Sequence, residues 1–226
     1  MMNVLVLAPH PDDETLGCGG VIARLAAEGH RVTVGVVTGP GVGEHPFVPQ
    51  PLFDEIRAEL REAMRILGVA DIIYGNIPTT LCADMPRRDL NAEVKRIIEQ
   101  AAPDILFAPF ALDLHSDHRE IFHAASVAWR PYLDLGRRIR EVYCYEVPTE
   151  THLNIPYVEQ GFVPNCWFDI SDHIERKIEA FAAFKSQVQE PPKPRSLDAL
   201  RALATWRGSQ IGVAAAEAFV SVRSLR

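Results

Sequence analysis

Short, nearly continuous apolar runs alternate with longer stretches whose apolar residues recur every three or four positions, and nothing else in the chain constrains its fold as tightly. Residues 4–7 (VLVL), 31–38 (RVTVGVVT) and 105–109 (ILFAP) are such runs. A strand with one wet face alternates apolar and polar residues. A continuous run needs cover on both faces, as in a parallel sheet flanked by helices. The intervening spacing predicts helices over 21–28, stopped by Gly29, and over 52–67, where Ile56, Leu60, Ala63, Met64 and Leu67 make one stripe closed by Gly68. Further helices are expected over 90–102, 119–129, 173–184 and 196–205, the last two separated by Pro191, Pro192 and Pro194. Strands are expected over 71–74, 141–145 and 167–170, and 218–222 can close the sheet.

This order predicts an α/β protein: a single Rossmann-like domain with a mostly parallel sheet flanked by helices. At 226 residues, with no internal repeat and no shift of composition, residues 1–226 read as one domain. Apolar residues make up 47% and charged residues 23%, which excludes whole-chain disorder, collagen-like repeats and coiled coil. The net charge of −7 argues against nucleic acid or an anionic membrane as partner. No segment reaches 18 apolar residues, and the first apolar run lacks a basic flank, so neither a membrane span nor a signal peptide is expected. Cys18, Cys82, Cys144 and Cys166 form no Cys-x-x-Cys pair, which suits reduced thiols in a cytoplasm. A homo-oligomer is compatible with the sequence, which does not fix the assembly state. Trp167, Trp206 and most phenylalanines are expected in the core, whereas His45 and His152 read as polar loop surface.

Ligands of open α/β sheets bind beyond the carboxyl ends of the strands. Two acidic histidine clusters stand there: Pro9-His10-Pro11-Asp12-Asp13-Glu14 after the first strand, and Asp113-Leu114-His115-Ser116-Asp117-His118 after a later one. Apolar segments bracket each, so neither is a solvated charge run. His10 and Asp13, three apart on a tight turn, can converge on one divalent ion, since imidazole nitrogens and a carboxylate form a zinc-type site. Of the neighbours Asp12 and Asp13, one can ligate while the other takes a proton from water. His115 and His118 are also three apart, at a helix start with Ser116 as a candidate cap; one can ligate and the other face a substrate carbonyl, with Asp117 orienting an imidazole. The spacing leaves open which of the two is the ligand. Gly17, Gly19 and Gly20 do not match G-x-G-x-x-G and follow an acidic loop that repels pyrophosphate, so they read as close helix–sheet packing. The loops 39–51 and 147–161 are the expected walls of a substrate pocket.

These residues carry a resemblance. PHPDDETLGCGG (9–20) and HSDH (115–118) resemble the two signature segments of the LmbE-like (PIG-L-type) zinc-dependent N-deacetylases. RAELREAMRILG (57–68), Pro194-Arg195-Ser196, Arg207-Gly208 and Glu217-Ala218-Phe219 resemble further segments of that family. The resemblance implies that His10, Asp13 and His118 bind one Zn2+ per chain, with Fe2+ or another divalent ion as the alternative. It makes Asp12 the general base, His115 the group at the oxyanion or the general acid, and Asp117 its orienting partner. It implies a small-molecule N-acetylated substrate, an amino sugar or a GlcNAc-type conjugate. Family members often carry an acidic residue after the third strand, where this chain has Asn76-Ile77-Pro78-Thr79-Thr80, with Asp84 further on; Arg57 is a candidate substrate contact. Competing readings are an amidase of the same mechanism on a non-sugar or thiol-conjugate substrate, a non-haem iron enzyme using the His/Asp/His triad, and a non-catalytic sugar or nucleotide binder.

Overall fold

A computed structural model of the chain describes residues 1–155 and 157–225; within the expected loop 147–161, Pro156 lies outside the described residues, as does residue 226. One seven-stranded sheet organises the fold: β1 (Asn3–Ala8), β2 (Arg31–Gly39), β3 (Asp71–Pro78), β4 (Ile105–Pro109), β5 (Glu141–Tyr145), β6 (Cys166–Asp169) and β7 (Ala216–Ser224). Their order across the sheet is β3-β2-β1-β4-β5-β7-β6. The first five are parallel to one another, and β7 runs antiparallel to both β5 and β6. The last apolar stretch therefore does not close an edge. It inserts between β5 and β6.

The helices are α1 (Asp13–Ala27), α2 (Gln50–Leu67), α3 (Arg87–Ala101), α4 (Ser116–Ala128), α5 (Asp134–Arg138), α6 (Ile174–Ala182) and α7 (Leu197–Ser209). Successive side chains of a strand point to opposite faces, and the continuous runs feed two apolar layers accordingly. Val4, Val6 and Ala8 of β1 join the layer under α1, α2, α6 and α7, while Leu5 and Leu7 join the layer under α3 and α4. β4 divides likewise, with Ile105 and Phe107 on one side and Leu106 and Ala108 on the other. Among the described residues no helix is long and apolar enough to cross a membrane.

Helix α1 departs most from expectation. It starts at Asp13, eight residues before the predicted position, so Gly17, Gly19 and Gly20 lie inside it. Low helix propensity at three glycines misplaces the start in the sequence, but packing overrides it. A Cβ on Gly17 would stand 2.3 Å from Tyr145 Cδ2, and one on Gly20 2.5 Å from Ile170 Cδ1. The glycines are contact points, as the absence of a phosphate-loop spacing implied. Three further expectations fail. Trp206 is 61% exposed rather than in the core, because it sits on the outward side of α7. Trp167 is only half-buried and belongs to neither apolar layer, its Nε1–H donating to Gln210 Oε1 at 3.0 Å. His45 is buried rather than at the surface: its Nε2–H donates to Thr79 O at 2.9 Å, and its Nδ1 accepts from the Phe47 and Val48 amides, which ties the loop after β2 to the end of β3.

Candidate active site

The strand order reverses between β1 and β4, since β2 and β3 extend to one side and β5 to the other. The crevice at such a point is where open sheets hold ligands. The two acidic histidine clusters meet there. His10, Asp12 and Asp13 leave the end of β1 into the first turn of α1, and Asp113 to His118 leave β4 into α4. His10 lies with its ring centroid 4.6 Å from that of His115 and 5.3 Å from that of His118.

Asp13 is the centre of the cluster. Its Oδ2 lies 3.2 Å from His10 Nδ1, 3.2 Å from His118 Nε2 and 2.9 Å from the His10 amide. Each imidazole is fixed from behind by another carboxylate: His10 Nε2 meets Asp117 Oδ2 at 2.9 Å, and His118 Nδ1 meets Asp113 Oδ2 at 2.8 Å. Asp113 is itself held by Thr151 Oγ1, and Asp117 accepts from the Thr80 and Cys82 amides. Carboxylates behind histidines are what orient imidazoles toward a metal ion. Burial opposes charge on both rings, yet hydrogen bonds donated to Asp117 and Asp13 raise His10 to about 9, and Asp13 and Asp113 raise His118 to about 10. Asp13, despite burial, is held well below the usual carboxylate range by those two histidines. The two imidazoles thus carry positive charge on either side of an ionised Asp13. His118 Nε2 is fully buried without a hydrogen-bond partner of good geometry, as a nitrogen aimed at a missing ligand would be. His10, Asp13 and His118 offer ligand atoms within 4.8 Å of one another, as do His10, His115 and Asp117. The first set fits a divalent ion better, because each of its imidazoles has its other nitrogen held by a carboxylate.

Asp12 stands beside this set with φ 107°, a left-handed conformation that a residue with a side chain adopts only under constraint. Its carbonyl accepts the Thr15 and Leu16 amides that open α1, and its own amide donates to Glu14 Oε2. Burial foremost, and next the charge on Asp13, push its carboxyl up to about 7 against the pull of Arg195, whose guanidinium lies 3.1 Å from Asp12 Oδ2. His115 goes the other way: burial and the two neighbouring histidines lower it to about 4, so its ring is neutral at physiological pH. Its Nδ1 accepts from the Asp117 amide at 3.1 Å, which caps α4 and leaves Nε2 to carry the proton. His115, not Ser116, is therefore the cap. Asp117 touches His115 through this amide, while its carboxylate goes to His10.

A cleft of about 300 Å³ opens over these groups, lined among others by His10, Asp12, Asp13, His115, Arg57 and Arg195. The loops 39–51 and 147–161 contribute Val48 and Glu150 to it. Arg57 reaches the cleft from α2, its guanidinium 5.2 Å over the Tyr74 ring. Three participants carried no role in the sequence reading: Asp113, Arg195 and Glu150. Asp113 was open to discovery as a carboxylate five residues ahead of a candidate ligand. Arg195 and Glu150 were not, since only the fold brings residues so distant in the chain to the cleft.

The family model described as PIG-L: GlcNAc-PI de-N-acetylase matches residues 5–129, which include both clusters. Among curated proteins, the uncharacterized deacetylase YaiS of Escherichia coli is 29% identical over 152 residues, covering 65% of this chain and 75% of its own. The diacetylchitobiose deacetylase of Thermococcus kodakarensis is 27% identical over 225 residues, covering 93% of this chain and 79% of its own. Among solved structures, the conserved protein TT1542 from Thermus thermophilus superposes with a TM-score of 0.77 at 29% identity, over 100% of this chain and 97% of that one.

Proposed function

Since the chain belongs to the PIG-L (GlcNAc-PI de-N-acetylase) family, we propose that it is a metal-dependent N-deacetylase that hydrolyses the acetamide of an amino sugar or amino-sugar conjugate. The observation that carries this reading is the separation of two adjacent carboxylates: Asp13 faces two histidines, and Asp12 faces the cleft with its carboxyl poised near neutrality. His10, Asp13 and His118 would hold the ion, with Zn2+ the first choice and Fe2+ or another divalent ion the alternative. A bound ion of this kind polarises a carbonyl and makes water more acidic.

The rest falls to the chain's own residues. Asp12, titrating near neutral pH, takes the proton of the attacking water. His115 is neutral, and its Nε2–H is the donor for the oxygen of the acetyl group as it gains negative charge. Asp113 and Asp117 fix the orientation of the His118 and His10 rings, so that the opposite ring nitrogens face Asp13. The proton held on Asp12 then passes to the leaving nitrogen, so acetate and a free amine depart together. The curated relative that acts on diacetylchitobiose supports an acetylated amino sugar as the substrate class. With four free cysteines, the protein suits a reducing cytoplasm.

The test is metal content together with acetate release from N-acetylglucosamine in free, nucleotide-linked and lipid-linked forms. One equivalent of divalent metal, and acetate and amine in equal amounts from at least one of them, is the expected result. A metal-loaded protein that releases acetate from none, or that consumes oxygen with an oxoacid instead, ends this reading.

A further inference from the structure

Three glycines bring α1 close to its neighbours and leave it with little to stop it sliding. Helices ordinarily lock against one another through ridges of side chains set into grooves. At Gly17, Gly19 and Gly20 α1 has no ridge, and its neighbours press on the backbone itself. An added Cβ would lie 2.3 Å from Tyr145 Cδ2, 2.9 Å from Lys177 Cγ and 2.5 Å from Ile170 Cδ1, respectively. So smooth a face packs tightly but needs something directional to fix its register.

A buried ion pair outside the cleft does this. Lys177 of α6 and Glu217 of β7 are each 4% exposed, with Lys177 Nζ 2.6 Å from Glu217 Oε1. Both also grip the α1 backbone. Lys177 Nζ donates to Leu16 O at 2.7 Å, and the Glu217 carboxylate accepts the Gly20 amide at 2.9 Å and the Val21 amide at 2.7 Å. A regular helix joins the amide of residue 20 to the carbonyl of residue 16. Here Glu217 sits on the first of those groups and Lys177 on the second.

The grip is one turn from the chemistry. The Leu16 amide donates to the Asp12 carbonyl at 2.8 Å, and the Leu16 carbonyl is the group that Lys177 holds. Asp12 and Asp13 therefore hang from a turn whose other end is fixed by the pair. Two buried charges add little stability, since apolar side chains of similar volume often do as well or better. What an apolar pair cannot do is bond a backbone amide and a backbone carbonyl at set distances.

Resting on the N-deacetylase reading, we propose that Lys177 and Glu217 are positioning residues for the reaction: they set the height of α1 along its axis, and through Leu16 they set Asp13 at the ion and Asp12 at the attacking water. Neither lines the cleft, so their effect passes through α1.

The test is the Lys177→Met/Glu217→Leu variant, which removes both charges together and leaves the Gly20 amide and the Leu16 carbonyl to each other. Without metal it should melt cooperatively, at or above the temperature of the natural protein. Its metal affinity, read by competition with a chelating dye, should fall roughly tenfold, the lower end for residues that orient ligands. At saturating metal its kcat for acetate release should fall on the order of 10²-fold, as a displacement of about 1 Å does, with KM unchanged. In Lys177→Gln/Glu217→Gln, an uncharged pair that keeps a donor for Leu16 and an acceptor for Gly20, most of the lost kcat should return. Gly19→Ala, whose methyl pushes on the Lys177 chain while improving helix propensity, should lose kcat in the same way but less. It carries the test if the apolar pair does not fold, and undiminished kcat there overturns the proposal. Full activity and full metal affinity in the apolar pair overturn it as well. So does a loss that only follows a lowered melting transition, or one that falls on KM with kcat intact. No recovery in the Gln pair overturns the hydrogen-bonded grip. If the natural protein releases acetate from no substrate, the N-deacetylase reading fails by itself, and dye competition beside melting still decides the positioning role.

Discussion

Asp12 and Asp13 are adjacent, yet their carboxylates meet different surroundings. Asp13 lies between His10 and His118 and is held ionised; Asp12 lies against Arg195 in a buried, strained turn and titrates near 7. Substituting them should therefore give different failures. Asp12→Asn is expected to keep its metal and lose about 10²–10⁴-fold in turnover, whereas Asp13→Ala is expected to lose the metal itself. Metal analysis beside acetate release distinguishes them, and near-normal activity in Asp12→Asn would falsify the base assignment. Asp113→Asn removes the carboxylate behind His118 and should weaken metal affinity roughly 10–100-fold while leaving the fold intact, read by competition with a chelating dye. The residue types of this site were legible in the sequence because two motifs carry them. Their partners were not. Nothing in a one-dimensional pattern says that the Asp117 carboxylate reaches His10, 107 positions away, or that Arg195 lies on Asp12.

At the scale of elements, the site depends on how closely α1 approaches the sheet. Gly17 lets the first turns of α1 lie against Tyr145, whose hydroxyl donates to Leu7 O of β1 at 2.9 Å. Gly17→Ala puts a methyl 2.3 Å from that ring and 2.9 Å from the Glu146 carbonyl. It should cost about 1–3 kcal/mol by overpacking, and it should also weaken metal binding, because the same turn carries Asp13. Thermal melting with and without metal checks both parts. Gly29→Ala, where nothing lies within 4 Å of the added methyl, strains only the left-handed backbone at φ 84° and should leave metal affinity alone. The strands were legible because burial on two faces forces continuous apolar runs. The start of α1 was not: the rule that glycine opposes helix is an average over solvent-facing helices, and here the alternative to glycine is a clash. The α2 stripe was legible as a stripe, but its division between core and cleft depends on where the sheet ends beneath it.

The whole molecule is held by one sheet, and removal of a bound ion should be felt through it. If the site is loaded at about 100 times its dissociation constant, chelation should remove roughly 2.7 kcal/mol and lower the melting temperature by about 5–10 °C; an unchanged transition after verified metal removal would speak against a resident ion. A buried pair ties α7 to the strand that ends beside the site: Arg207 meets both carboxylate oxygens of Glu146, with His152 at 2.6 Å. Burial works against the Glu146 charge, but the hydrogen bonds from His152 and Arg207 hold its carboxyl below the usual range. A carboxylate with a depressed folded value contributes stability above its unfolded value and loses it as pH falls through the folded one. Acid unfolding of Glu146→Gln should accordingly show a shallower pH dependence below about pH 4.5. At neutral pH it should cost about 3–5 kcal/mol, since Arg207 stays buried and uncompensated. By itself the sequence determined the layered α/β class, the parallel strands and the two clusters that chemistry requires, because apolar periodicity and donor spacing are local properties. Tertiary structure alone decided which strands neighbour each other, that β7 inserts between β5 and β6, that carboxylates from two loops stand behind two histidines, and that the first residue of one helical stripe lines a cleft while the rest enters the core. Those are long-range pairings, set by which surfaces exclude water together, and no local pattern encodes them.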